Sequence, residues 1–152
     1  MYHRVLLCYD GSRAGRAALR EGADLARACG AEVHLLAVLR QGAETAIAEA
    51  MCPGELYSEE ARVVREILDE GVAQLAAGGL QVQGHLAAGE PVDRIVDTAK
   101  AVNADLIVLG HRNRSRFARW WQGSVNASLL ETASCSILVV LDEENRPLPE
   151  NR

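Results

Sequence analysis

Short apolar runs alternate along this chain with longer segments whose apolar residues recur every three or four positions. The first run, Arg4-Val5-Leu6-Leu7-Cys8-Tyr9, stops at Asp10-Gly11-Ser12. Ser12 is a good helix N-cap, and Ala17, Ala18, Leu25, Ala26 and Cys29 follow at helical spacing until Gly30 ends the helix. Glu32 to Leu39 contains the next strand, Val33-His34-Leu35-Leu36-Ala37-Val38. From about Tyr57 to Ala77 the spacing predicts a helix that buries Ala61, Val64, Leu68 and Leu75, with Glu and Arg on its other face, and Gly78-Gly79 breaks it. Leu80 to Ala87 alternates apolar and polar residues, as a strand near a sheet edge does. Pro91 suits the first turn of a helix carrying Ile95, Val96, Ala99 and Val102. Asp105-Leu106-Ile107-Val108-Leu109 is almost purely apolar, the pattern of a central parallel strand covered on both faces. Val125 to Ala133 reads as a helix, and Ser136 to Leu141 as the last strand.

Strand and helix alternate throughout, which predicts an α/β protein: a parallel sheet sandwiched between helices, with right-handed crossovers. Ligands of such folds sit beyond the carboxyl ends of the strands, where the strand order reverses. Those ends carry Asp10, Val38 and Gly110. Arg40 to Leu56 has weak periodicity and a Pro53-Gly54 break, so it reads as a connection. The chain is expected to be one domain over residues 1–142, followed by a polar, flexible tail over 143–152.

Composition narrows the class. With 152 residues, 49% of them hydrophobic, the chain can bury a core of its own. No secretory pattern opens it, and no apolar run approaches the roughly 20 residues that span a bilayer. Cys8, Cys29, Cys52 and Cys135 are scattered without a Cys-x-x-Cys pair, which suits reduced thiols and a cytoplasmic location. His3, His34, His85 and His111 have no partners at ligand spacing, so no metal site is expected. A net charge of −5 disfavours a dedicated nucleic-acid binder. Gly-x-Ser-x-Gly, Gly-x-Gly-x-x-Gly and the P-loop pattern are all missing, which argues against hydrolase, dehydrogenase and P-loop chemistry.

Against that acidic background stands Gly110 to Ser124, GHRNRSRFARWWQGS, with Arg112, Arg114, Arg116 and Arg119 among Phe117, Trp120 and Trp121. Gly110 closes a buried strand, where a missing Cβ lets backbone approach a ligand. Gly123-Ser124 opens a helix whose free N–H groups and dipole favour an anion. Each feature also has a plainer reading. The glycines and Ser124 would serve as a strand exit and a helix cap, Asp10 as a turn-former, Val38 as core, and the tryptophans as packing anchors.

The spacing Gly110-x-x-Asn113-x9-Gly123-Ser124, followed by Cys135-Ser136-Ile137-Leu138-Val139-Val140, resembles the universal stress protein family. Val5 to Ser12 and the strand Val33 to Val38 match as well, in the family's order, so the resemblance covers about Tyr2 to Leu141. It implies strand order 3-2-1-4-5 in a Rossmann-like three-layer sandwich, a homodimer paired through the last strand, and ATP across the strand ends. ADP or AMP are the alternatives, with Mg²⁺ as counter-ion. By position, Asp10 corresponds to the acidic residue near ribose and phosphates, and Val38 to the backbone position that reads the adenine edge. Gly110 corresponds to the first motif glycine, and Gly123, Ser124 and Val125 to the helix start that cradles phosphate. Asn113 departs from the pattern, replacing the second glycine. It tolerates the left-handed region but brings a side chain toward the phosphates. Three classes remain. The preferred one is a nucleotide-binding regulatory module, not an enzyme, that acts on an unidentified protein partner. The others are a nucleotide-free stress-response dimer and a slow ATPase.

Overall fold

The computed structural model describes residues 1–40, 58–111 and 129–141. Five strands make one sheet: β1 (Arg4–Cys8), β2 (Glu32–Leu39), β3 (Val82–Ala88), β4 (Leu106–His111) and β5 (Ser136–Leu141). All four pairings are parallel, in the order β3-β2-β1-β4-β5, so the expected topology is borne out. The helices are α1 (Arg13–Cys29), α2 (Ser58–Ala77), α3 (Pro91–Ala101) and α4 (Leu129–Thr132).

Side chains alternate across the pleat, so each strand feeds two cores. Val5, Leu7, Val33, Leu35, Leu106 and Val108 pack on one face with Ala18, Leu19, Ala23 and Ala26 of α1 and Leu68 and Leu75 of α2. Leu6, Leu36, Ile107 and Leu109 pack on the other with Val92, Ile95, Val96 and Ala99 of α3 and Leu129 of α4. Both faces of β1 and β4 are thereby covered, which is why these strands read as unbroken apolar runs. The alternating segment becomes β3, an edge strand as predicted, while β5 forms the other edge.

Local signals act where the sequence placed them. Ser12 caps α1, its hydroxyl accepting the Gly15 N–H at 3.0 Å. Gly30 ends the same helix at φ +63°, and its N–H donates back to the Ala26 and Arg27 carbonyls. The buried stripe of α1 is made mostly of small residues, Ala14, Gly15, Ala18, Gly22 and Ala26 among them, with Leu19 the large exception, whereas Leu25 and Cys29 are only half-buried. On α2, Leu68 and Leu75 are buried, but Ala61 and Val64 are half-buried because this end of the helix borders a cleft. β1 stops one residue short of Tyr9, and β4 runs on to His111, beyond the expected Leu109. Of the helix expected over 125–133, Leu129 to Thr132 is helical and Val125 lies outside the described residues. The tail over 143–152 also lies outside them.

Candidate functional site

A cleft of about 520 Å³ opens above the carboxyl ends of β1 and β2, between α2 and α3. That volume falls in the usual range for small-ligand sites. Its floor is formed by the ends of the two central strands, Cys8-Tyr9-Asp10 and Leu36-Ala37-Val38-Leu39-Arg40. One wall is α2, through Glu59, Glu60, Val63, Val64 and Ile67; the other is α3, through Pro91 and Ile95. Apolar side chains dominate the lining, and Asp10, Arg40, Glu59 and Glu60 supply its charge. Such a lining suits a flat apolar ring with a polar substituent rather than a small inorganic ion.

Asp10 and Val38 are thus brought together on adjacent strands. Asp10 is exposed, and its Oδ1 accepts the Ser12 N–H at 2.9 Å, closing the turn from β1 into α1. Gly11 completes that turn at φ +75°, a left-handed conformation that side chains disfavour. Val38 is half-buried and pairs in register with Ala87 of β3.

Gly110 does not line the cleft. It sits near the end of β4 against the first turn of α1, where an added Cβ would collide with the Ala14 carbonyl and come within 2.9 Å of the Gly15 nitrogen. Its bare Cα therefore has a structural cause, the close approach of α1 to the sheet. Gly15 is equally constrained, since a Cβ there would lie 2.6 Å from Asp10 Oδ1. Asn113, Gly123, Ser124 and Val125 lie outside the described residues, as do the arginines and tryptophans of the basic stretch.

Two residues of the floor have shifted acidities. Burial pushes the Cys8 thiol up to about 12, with the Asp10 carboxylate adding to the effect, so Cys8 is an inert part of the floor. Cys8, Cys29 and Cys135 are all free thiols, Cys8 buried and the others half-buried. Burial also raises Tyr9; a hydrogen bond with Arg16 opposes the rise and the Glu70 carboxylate adds to it. The Tyr9 hydroxyl donates to Glu70 Oε1 at 3.3 Å, and Arg16 reaches the same oxygen at 3.3 Å. This three-way contact ties α1 to α2 directly behind the cleft. Among the described residues, no three metal-ligating side chains converge, and no helix is long and apolar enough to cross a membrane.

The α2 wall escaped the sequence reading. Val63 is 43% exposed although apolar. With Val64 and Ile67 it broadens the apolar stripe of α2 beyond what its core contact requires, and that excess width was the available signal.

Comparison with known proteins gives a consistent family. The family model described as universal stress protein family matches residues 1–140. A universal stress protein of Bacillus subtilis, YxiE, is 29% identical over 150 residues, covering 92% of this chain and 99% of its own length. Another, MJ0531 of Methanocaldococcus jannaschii, is 27% identical, covering 92% of this chain and 82% of its own. Among solved structures, a universal stress protein in complex with cAMP superimposes with a TM-score of 0.68 at 26% identity, covering 93% of this chain and 98% of the other. One from Archaeoglobus fulgidus in complex with dAMP gives 0.60 at 27% identity, covering 91% and 98%.

Proposed function

Because this chain belongs to the universal stress protein family, we propose that it is an adenine-nucleotide-binding regulatory module of the stress response. The observation that carries this reading is the cleft: an apolar slot of about 520 Å³ with Asp10 and Val38 on its floor, in a fold whose relatives have been crystallised with cAMP and dAMP. Adenine would lie between Val38 and the walls made by Val64, Ile67, Pro91 and Ile95, its polar edge read by backbone of β2. The exposed carboxylate of Asp10 would accept a ribose hydroxyl. Gly110, Asn113, Gly123, Ser124 and Val125 would carry the phosphates. ATP is the proposed nucleotide, with ADP or AMP as alternatives, and Mg²⁺ would be held by the phosphate oxygens. No residue of the sequence stands out as a water-positioning group, so the proposed role is a signalling module rather than a catalyst. It would act in the cytoplasm on a protein partner.

A homodimer through β5 belongs to the same proposal. Among the described residues this edge strand pairs only with β4, its Ile137 to Val140 stretch is half-buried, and Leu141 is 45% exposed. An apolar edge of that kind calls for a cover.

Mass spectrometry of small molecules released from the purified protein, followed by calorimetry with ATP, AMP and cAMP, tests the ligand. A Gly123→Val variant is expected to abolish binding by placing a side chain where backbone meets phosphate. Silence from the wild type at millimolar nucleotide would overturn the reading. It would favour the nucleotide-free dimer, for which Asn113 in place of the motif glycine is the specific support. Light scattering that finds a monomer at micromolar concentration would remove the dimer.

A further inference from the structure

On the face of the sheet covered by α3, two histidines from neighbouring strands meet. Nδ1 of His34 on β2 lies 2.9 Å from Nε2 of His85 on β3, with the ring centroids 5.1 Å apart. His34 is buried, at 4% exposure, and His85 is half-buried. Nε2 of His34, its other nitrogen, is also buried and has no aligned hydrogen-bond partner, yet Glu32 Oε1 stands 3.2 Å from it. The other oxygen of Glu32 is 3.4 Å from Arg4 Nε.

Proton counting constrains this arrangement. Two imidazole nitrogens at hydrogen-bond distance need one proton between them: with none, two lone pairs face each other, and with two, the N–H groups collide. A carboxylate beside Nε2 of His34 favours a proton there too. Two neutral rings satisfy every contact at once, His85 donating Nε2–H to Nδ1 of His34 and His34 facing Glu32 with Nε2–H, and any further proton must leave a single one between the facing nitrogens. The surroundings add no competing charge. On β1, Leu6 is the register partner of His34, and α3 presents Val92, Ile95, Val96 and Ala99 to this face. Of the charged residues of α3, Arg94 pairs with Asp97 at 2.8 Å, and Asp93 and Lys100 are exposed. On β3 the neighbours sharing the face of His85 are Gln83 and Ala87.

We propose that His34, His85 and Glu32 form a proton-binding clasp that accepts one proton and refuses a second, so that strong acidification unlatches edge strand β3 from β2. Consistently, burial lowers the proton affinity of His85, and the neighbouring His34 lowers it further. The device adjoins the cleft, because His85 stands in register with Leu36 of the cleft floor.

The test is an NMR titration of the imidazole nitrogens between pH 8 and 4, with amide exchange measured across the sheet. One histidine of the pair should become an imidazolium while the other stays neutral to well below the ordinary histidine value of about 6.5. Amides of β3 should then exchange increasingly faster than those of β1 and β4 as the pH falls. His34→Gln should raise the protonation of His85 part of the way toward the ordinary value, burial still holding it down, and His85→Gln should flatten the acid-induced exchange of β3. If His34→Gln does not fold, Glu32→Gln at the exposed end of the clasp serves instead, lowering the first protonation of the pair. Independent titration of both rings at ordinary values would overturn the proposal. So would an acid response of β3 that survives in His85→Gln, or a first protonation unmoved by Glu32→Gln.

Discussion

Replacing Gly110 by alanine tests whether its missing side chain serves the packing of α1. The new Cβ would strike the Ala14 carbonyl and stand 2.9 Å from the Gly15 nitrogen. Both obstacles are backbone atoms of the first turn of α1, so they cannot swing aside as a side-chain end can. Relief requires α1 to move off β4, yet Leu7 of β1 holds it there, already touching the place where Gly22 would carry a Cβ. Overpacking of this kind costs about 1–3 kcal/mol, and backbone obstacles put the expected loss at about 3 kcal/mol. In a chain of this size that lowers Tm by roughly 6–12 °C. Gly30→Ala is the control. Nothing lies within 4 Å of a Cβ there, so only the left-handed backbone is penalised, at about 1–2 kcal/mol. Urea unfolding of wild type and both variants ranks them. If Gly110→Ala stays within about 0.5 kcal/mol of wild type, the packing argument is wrong; if nucleotide affinity alone falls, the glycine serves the ligand instead.

Tyr9→Phe removes the hydroxyl that joins Arg16 and Glu70, and a loss of about 0.5–1 kcal/mol is expected in urea unfolding at neutral pH. Because Tyr9 is raised in the folded protein, its contribution is complete below the ordinary value of 10.0 and fades as pH climbs through the higher folded value. The variant should lack that alkaline loss. At Asp105, burial raises the carboxyl, but the backbone N–H groups of Arg4 and His3 outweigh it and hold the group below its ordinary 3.8. Its stabilisation is therefore present above 3.8 and lost as pH falls through the lower folded value, and acid melting of Asp105→Asn should be correspondingly flatter. In calorimetry, Asn113→Gly should preserve or raise ATP affinity. A loss of about 1.5–3 kcal/mol would instead identify the Asn amide as a phosphate donor.

What the sequence made legible was what local chemistry and burial dictate. The apolar runs became strands because both faces of the central sheet are covered, and Ser12 and Gly30 announced the ends of α1 by themselves. β3 disclosed its edge position through alternation. Contacts between distant segments left no such trace. His34 and His85 are 51 positions apart and sit within otherwise ordinary strand patterns, so their junction appears only when β2 and β3 align in register. The cleft was half legible. Asp10 and Val38 stood at predicted strand ends, but the α2 and α3 walls depend on how those helices cross the sheet. Gly110 carried a signal that was read in one sense only: close approach was expected, and the partner found in the structure is α1.

The small-residue seam between α1 and the sheet has a mechanical consequence for the cleft. Where helix and strand meet almost backbone to backbone, no long side chains remain to absorb a displacement, so the turn holding Asp10 is a fixed jaw. The opposite jaw is built differently. Near its middle α2 is clamped at Gly71, where an added Cβ would stand 2.6 Å from Leu35 and 2.8 Å from Tyr9. Its first turns meet the cleft through side chains alone, those of Glu59, Glu60, Val63, Val64 and Ile67. Leverage about Gly71 therefore concentrates in those turns. A bulkier occupant would widen the slot by tilting the start of α2 and would leave Asp10 where it is.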